Sequence, residues 1–369
     1  MRETTEMKFM KIALALARKG IGRTSPNPLV GCVIVKDGAI VGEGWHHKAG
    51  TPHAEIHALN MAADSARGAD VYVTLEPCCH TGATPPCSDA LIKAGVRRVV
   101  AGMRDPNPQV SGGGLAALHQ ASIETECGVL ESECRAINLP FIKHITTGLP
   151  YVTYKCAMTL DGKIASITGE SRWISCEESR KYVHLMRAHN DAVMVGVDTI
   201  LADNPQLTVR HVKGRNPVRI IVDSSLRTPA SVGILSGALA RKTIIACTEE
   251  DVAVHQPYLQ NGTTVLVCNS LEGRVDLRDL LIKLGKLGIQ SILLEGGSRL
   301  AGDALTRGLI DECVFFYAPK VIGSDGFSPF SITGITDMSH SLAFTDLKVR
   351  RLGTDIVVTA RPEGSCLPA

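Results

Sequence analysis

The spacing of apolar residues changes several times along the chain, and each change predicts an element. Residues 7–19 carry apolar side chains at helical intervals, which predicts an amphipathic N-terminal helix. Runs at 29–35 and 39–45 flank Lys36, Asp37 and Gly38, the pattern of a hairpin closed by a glycine-containing turn. A helix follows, with Thr51 as its cap, Pro52 in its first position and the apolar run 56–62 as its body. The β-branched stretch 71–75 reads as a buried strand, 89–93 as a helix and 96–101 as the next strand. Gly112, Gly113 and Gly114 lack a following Gly-Lys-Ser/Thr and read as a flexible loop without chemistry. Residues 131–144 are helical, and Gly148, Leu149 and Pro150 break that helix.

The break sets a domain boundary, giving 1–149 and 150–369. A hairpin followed by alternating helices and strands implies a mixed sheet with helices packed over it. The second half repeats the α/β alternation, with strands expected at 151–157, 192–197, 219–222, 243–247, 263–267 and 291–294, and a loop over 198–210. After its last strand come Glu295, Gly296, Gly297 and a helix, which aims bare N–H groups above the sheet edge as a phosphate cradle would. The absence of Gly-x-Gly-x-x-Gly argues against a Rossmann site. Trp173 reads as core on physical grounds. Asp223 at a strand end would suit an unphosphorylated ribose, whereas Ser224, Ser225 and Arg227 could hold an extra phosphate. The tail 361–369, with two prolines, reads as frayed, and its Cys366 is no metal candidate.

Composition narrows the function. The 369 residues are 44% hydrophobic and 21% charged, the balance of a globular protein long enough for two cores. A net charge of +2 and 4% aromatics offer little to nucleic acid. No run of about 20 apolar residues exists, and the apolar stretch near residues 12–17 is too short and too interrupted by charge for a signal peptide, so no membrane role is expected. The 12 cysteines are scattered, and the best group has a better use than disulfides, which points to a reducing, cytoplasmic setting.

That group carries the clearest chemistry. His53 and Glu55 fall in one short stretch, and Cys78 and Cys87 each follow a proline that starts a helix or turn. One imidazole and two thiolates suit Zn²⁺ and leave a fourth tetrahedral position open to water, the mark of a catalytic site. Glu55 is placed to carry the proton. The alternative is a satisfied core histidine among buried thiols, and Cys79 and His80 are rival ligands.

The zinc-deaminase signature is His-x-Glu followed by Pro-Cys. Together with Ser25-Pro26-Asn27-Pro28 and the long Cys78-to-Cys87 spacing, the first half resembles the deaminase half of the bifunctional riboflavin-biosynthesis deaminase-reductases. The second half resembles their reductase half through Thr-Leu-Asp-Gly-Lys, Gly-Glu-Ser-Arg-Trp-Ile, Asp-Asn-Pro-x-Leu-Thr-x-Arg, Val-Asp-Ser and Leu-Glu-Gly-Gly. The resemblance implies a cytidine-deaminase-like α/β/α layered domain with a mixed sheet, then a dihydrofolate-reductase-like α/β domain. It implies zinc on His53, Cys78 and Cys87, Glu55 as proton shuttle, and Asn27 and His46 near substrate. It places NADPH against Ala157, Trp173, Thr199, Asp203, Ser224 and the helix start Gly297, Ser298, Arg299, Leu300, Ala301, Gly302 and Asp303. It places the phosphoribosyl pyrimidine against Ser171, Arg187, Leu207, Arg210 and Glu295, with Lys155 and Asp203 as candidate acids for the reduction. Arg187 as a surface helix residue and Arg210 as a loop ion pair are the plainer alternatives. The family also implies a homo-oligomer, a dimer or tetramer.

Overall fold

The computed structural model describes residues 4–80, 85–108 and 110–364, and they form two compact units, Met1–Thr147 and Gly148–Ala369. The first unit runs α1 (Thr5–Arg18), β1 (Gly31–Lys36), β2 (Ala39–Trp45), α2 (Ala54–Ala62), β3 (Asp70–Val73), α3 (Cys87–Ala94), β4 (Arg98–Ala101), α4 (Gly113–Gln120), β5 (Glu124–Cys127), α5 (Glu131–Ile137) and α6 (Leu139–Thr147). Its five strands lie in the order β2-β1-β3-β4-β5, with β1 antiparallel to β2 and β3 and the rest parallel.

Alternation along the strands explains the layers. Cys32, Ile34, Val71, Val73 and Val99 share one core with Ala54 and Ala58 of α2, Leu91 of α3 and Leu118 of α4. Val33, Val35, Tyr72 and Val100 point the other way, against Phe9, Met10, Ala13 and Leu14 of α1 and Cys134 and Ile142 of α5 and α6. Both faces are therefore covered. Helix α2 lies close on β2 because Gly44 has no side chain: a Cβ there would come within 2.2 Å of the Ala54 carbonyl oxygen.

The second unit runs β6 (Tyr151–Thr159), α7 (Glu177–His189), β7 (Ala192–Gly196), α8 (Val197–Asp203), β8 (Val218–Val222), α9 (Gly237–Ala240), β9 (Thr243–Cys247), α10 (Val252–Gln260), β10 (Thr264–Val267), β11 (Ser270–Leu271), β12 (Arg274–Val275), α11 (Leu277–Lys286), β13 (Ser291–Glu295), α12 (Ser298–Thr306), β14 (Glu312–Ala318), β15 (Phe344–Leu352) and β16 (Asp355–Pro362). Nine strands form a sheet in the order β10-β9-β8-β7-β13-β6-β14-β16-β15. It is parallel from β10 to β14, and the hairpin β15/β16 adds antiparallel strands at one edge. Met194, Ile220, Ile292 and Leu294 face Leu280, Leu284 and Ala301 of α11 and α12. On the other face, Val183 and Met186 of α7 cover Leu293, Val314 and Phe316, while Ile200 and Leu207 join Val193 and Ile221.

Several expectations are corrected. Helix α2 begins two residues later than its sequence suggests, because Thr51 Oγ1 donates to the Lys48 carbonyl and His53 takes the N-cap. Residues 198–203 are helical in α8 rather than loop, and Gly113 and Gly114 open α4 rather than a free loop. Trp173 is 65% exposed, so it is not core. Strand β16 reaches Pro362, so the tail is ordered that far, and Cys366 lies outside the described residues. Among the described residues, no helix is long and apolar enough to cross a membrane.

Candidate active sites

In the first unit, the N-cap of α2, the turn after β3 and the N-terminus of α3 converge. His53 Nδ1 lies 3.3 Å from Cys87 Sγ and 3.6 Å from Cys78 Sγ, and the three ligand atoms fall within 4.8 Å of one another. Among the described residues they are the one His/Cys/Asp/Glu group so placed; Cys79 and His80 do not join it. The Cys87 N–H, in the first turn of α3, donates to Cys78 Sγ at 3.4 Å. The positive helix end serving Cys78 is thus that of α3. Sharing a hydrogen bond with the Cys87 thiol, then the His53 ring, holds Cys78 at about 4, well below the usual thiol value. The same sharing, with burial, pushes Cys87 up, so one proton serves two sulfurs in the metal-free chain.

Glu55 is 3% exposed, and its Oε2 is buried with no hydrogen-bond partner. Burial raises its carboxyl above the ordinary range. A buried carboxylate oxygen left unpaired is costly in a folded chain. Three soft ligands beside it give that oxygen a reason, since a zinc site brings water with it, and the residues fit Zn²⁺.

His46 is 2% exposed with both nitrogens engaged: Nδ1 donates to the Pro52 carbonyl at 3.2 Å and Nε2 accepts from Asn27 Nδ2 at 3.1 Å. The pairing assigns the proton to Nδ1, and burial lowers the ring's affinity for a second. His46 therefore orients Asn27, whose Oδ1 and second amide proton are not used in that bond.

Sequence reasoning passed over Glu76. The residue is 2% exposed, and its Oε2 accepts from the N–H groups of Asp105 and Gly112, its Oε1 from those of Gly114 and Leu115, at 2.9–3.2 Å. The carboxylate two residues before Cys78 thus caps α4. An acid between Leu75 and Pro77 at the end of a buried strand was the available signal, because such a group needs donors.

In the second unit, Arg187 and Glu295 meet each other. Nε and Nη2 of Arg187 donate to Oε1 and Oε2 of Glu295 at 2.6 and 2.7 Å, and Nη1 donates to the Thr208 carbonyl at 3.1 Å. Arg187 is hence no surface residue but one arm of a buried, bidentate pair. Lys155 adds positive potential to Glu295, whose carboxyl is lowered by Arg187 despite the burial opposing it. Arg210 is exposed, and its Nη1 reaches Gln206 Oε1 at 2.8 Å and Thr208 Oγ1 at 3.2 Å. Leu207 is a core side chain, so only its main chain can meet a ligand. His184, also unforeseen, accepts the Arg210 N–H on Nδ1 at 3.1 Å and fixes that loop to α7.

The glycine cradle forms as the sequence suggests. Gly296 and Gly297 both have positive φ, the conformation that favours glycine, and both lie beside Thr199 Oγ1, to which a Cβ would come within 3.4 and 3.8 Å, an ordinary contact. The N–H groups of Ser298, Arg299 and Leu300 occupy the first turn of α12, where no intrahelical acceptor exists. Ala301 and Gly302 are buried and Asp303 binds Arg307, so the mouth of the cradle narrows to 297–300. Nearby, Arg172 Nη2 donates to the Asp203 carbonyl at 3.0 Å and Arg180 stacks on Trp173 at 4.7 Å. Ser171 and Ala157 are half-buried, and Ser224 Oγ accepts from the Val275 N–H. Asp223 is buried, its two oxygens taken by the N–H groups of Arg227 and Thr228, and so cannot serve a ribose. The set fits a dinucleotide's phosphates.

A zinc hydrolase of the deaminase type, joined in one chain to a nucleotide-dependent α/β reductase, is the class these units define. Residues 3–103 match the cytidine and deoxycytidylate deaminase zinc-binding region, and 150–358 match the RibD C-terminal domain. The riboflavin biosynthesis protein RibD of Actinobacillus pleuropneumoniae is 46% identical over 96% of this chain and 94% of its own, and that of Escherichia coli 44% over 94% and 97%. A solved structure of Acinetobacter baumannii RibD superposes with a TM-score of 0.89 at 38% identity, covering 98% of this chain and 99% of that one. The Thermotoga maritima diaminohydroxyphosphoribosylaminopyrimidine deaminase/5-amino-6-(5-phosphoribosylamino)uracil reductase gives 0.84 at 39%, covering 97% and 99%. The chain belongs to the RibD family of bifunctional riboflavin-biosynthesis enzymes, with Zn²⁺ for deamination and NADPH for reduction.

Proposed function

We propose that residues 1–149 deaminate 2,5-diamino-6-(5-phosphoribosylamino)pyrimidin-4(3H)-one to 5-amino-6-(5-phosphoribosylamino)uracil, and that 150–369 reduce the ribose of that product to a ribityl chain. The observation carrying this reading is the buried, unpartnered Oε2 of Glu55 beside His53, Cys78 and Cys87. Those three hold Zn²⁺, which supplies, when bound, the Lewis acidity that makes water nucleophilic near neutral pH. Glu55 Oε2 takes one proton from the attacking water and passes it to the ring nitrogen beside the amino-bearing carbon, then takes the proton of the new hydroxyl on that carbon and gives it to the amino group, which leaves as ammonia as the carbonyl forms. Its raised proton affinity suits a group that must hold the proton between those steps. Asn27, aimed by His46, orients the pyrimidine.

In the second unit, Ala157, Trp173, Thr199, Asp203, Ser224 and the first turn of α12 would hold NADPH, which would supply hydride for C1′ of the opened sugar. The rigid Arg187–Glu295 pair, with Lys155, Ser171 and the Leu207 main chain, borders the sugar, and Arg210 is the cation for its phosphate. A cytoplasmic homo-oligomer, dimer or tetramer, completes the proposal. The exposed edge of β15 supports the assembly, and the free thiols of the described cysteines support the compartment.

The test gives zinc-loaded protein the diaminopyrimidine ribotide with and without NADPH, following ammonia and nicotinamide absorbance together. Ammonia is expected in both cases and NADPH oxidation only after it. Glu55→Ala is expected to lower ammonia release by at least about 10²-fold while reduction of pre-deaminated substrate continues; loss of both activities in a folded variant refutes the division of labour.

A further inference from the structure

Asn138, at the junction of α5 and α6, commits its whole side chain to main-chain groups. Its Oδ1 accepts from the Leu29 N–H at 2.7 Å, and its Nδ2 donates to the Leu29 carbonyl at 3.0 Å and to the Cys134 carbonyl at 3.4 Å. The residue is 2% exposed, so water does not compete for these bonds. The amide pairs with both main-chain groups of Leu29, as a neighbouring strand would.

The segment it grips is the one that presents Asn27. Further along, buried Thr74 holds Gly31: its Oγ1 accepts the Gly31 N–H at 3.1 Å, and its own N–H donates to the Gly31 carbonyl at 3.0 Å. The His46 N–H donates to the Val30 carbonyl at 2.9 Å. Leu29 lies before the start of β1, and there Asn138 takes the place of a strand partner. Only Pro28, whose ring fixes φ and which has no N–H to bond, separates Leu29 from Asn27. On the other side the Asn27 N–H donates to the Thr24 carbonyl at 2.8 Å, and the Asn27 side chain meets His46. Asn27 is thus suspended between a turn and a main-chain residue fixed from a helix junction 109 residues downstream of it.

A buried, satisfied amide ordinarily serves the fold alone. The target of this one gives it a second effect, because the last hold on the chain before Asn27 is a hold on Asn27 itself. We propose that Asn138 is a positioning residue of the deaminase site, gripping the Leu29 main chain so that the Asn27 amide stays in place against the pyrimidine. It touches no substrate and acts through Asn27. His46 sets the direction of the Asn27 side chain, and Asn138 sets where the backbone beneath it stands. The inference rests on the reading above that Asn27 orients the pyrimidine.

The test follows ammonia release by the full zinc-loaded chain against the concentration of the diaminopyrimidine ribotide, for wild type, Asn27→Ala, Asn138→Ala, Asn138→Ser and the double variant Asn27→Ala/Asn138→Ser. Zinc content and NADPH oxidation with pre-deaminated substrate report the fold of each. Asn27→Ala and both Asn138 variants are expected to lower kcat/KM at least about tenfold, within what an ångström-scale misplacement costs, with KM rising more than kcat falls. The double variant is expected to lie within about twofold of Asn27→Ala, as one residue acting only through another requires. If Asn27→Ala lowers kcat/KM but the Asn138 variants retain zinc and wild-type kinetics, or multiply the loss in the double variant, Asn138 is wrongly assigned and the role of Asn27 stands. If neither Asn138 variant retains zinc, the residue serves the fold and the proposal fails. If Asn27→Ala itself leaves deamination unchanged, the reading of Asn27 fails and takes the proposal with it.

Discussion

His184 shows how one ring can be committed to a single protonation state. Its Nδ1 must present a lone pair to the Arg210 N–H, and its ring edge meets His211 at 4.5 Å. Burial first, then Arg187, His211 and Arg210, push its pKa down to about 4 from the ordinary 6.5, with only Glu295 pulling the other way. Between those two values the unfolded chain binds a proton that the folded chain refuses, so stability falls as pH drops through that window and is unaffected above it. Thermal melts across pH 4.5–7 should therefore show a shallower acid limb for His184→Gln, whose amide oxygen can still accept the bond. Equal slopes in the two proteins would refute the role. Little of this was legible in sequence, where a histidine on a helix shows neither its burial nor the loop it meets. His53, Glu55, Cys78 and Cys87 were legible because four functional residues, of three types, stood at element ends.

At the scale of elements, α4 depends on a carboxylate from another part of the chain. Its N-cap is Gly112, which has no side chain to cap with, and Glu76 accepts four main-chain N–H groups around that end. Removing it leaves buried donors unpaired, so Glu76→Ala should destabilise the first unit by about 3 kcal/mol or more. Denaturant melts check this, and NADPH oxidation with pre-deaminated substrate should persist where ammonia release is lost. A glycine triplet reads as a loop when the cap lies 36 residues upstream, which is why α4 went unseen. Strands were easier, since β-branched runs announce themselves locally. The exceptions were β5, the two-residue strands β11 and β12, and β14, β15 and β16, and of these β15 is almost wholly exposed, with polar and charged residues that give no apolar run.

For the whole molecule, that exposed strand is the feature with the plainest outward consequence. Strand β15 closes the nine-stranded sheet at one edge, with Leu347 and Val349 62% and 67% exposed. An edge carrying apolar side chains and unpaired main-chain groups favours pairing with a second copy. Light scattering should report a dimer or tetramer for wild type and a shift toward monomer for Val349→Lys, and an unchanged mass would refute the edge as interface. Sheet order has a further bearing on how the protein is made. The first unit holds all its strands by Cys127, so its sheet can close early in synthesis. In the second, β6 lies between β13 and β14, whose partners to it run from Ser291 to Ala318. The opening strand of the reductase must therefore wait about 140 residues for a neighbour, roughly 7–30 s at ordinary elongation rates. Through that interval the ribosome carries a finished deaminase fold on a tether whose next apolar strand is still unpaired, and that strand is the segment a chaperone would meet.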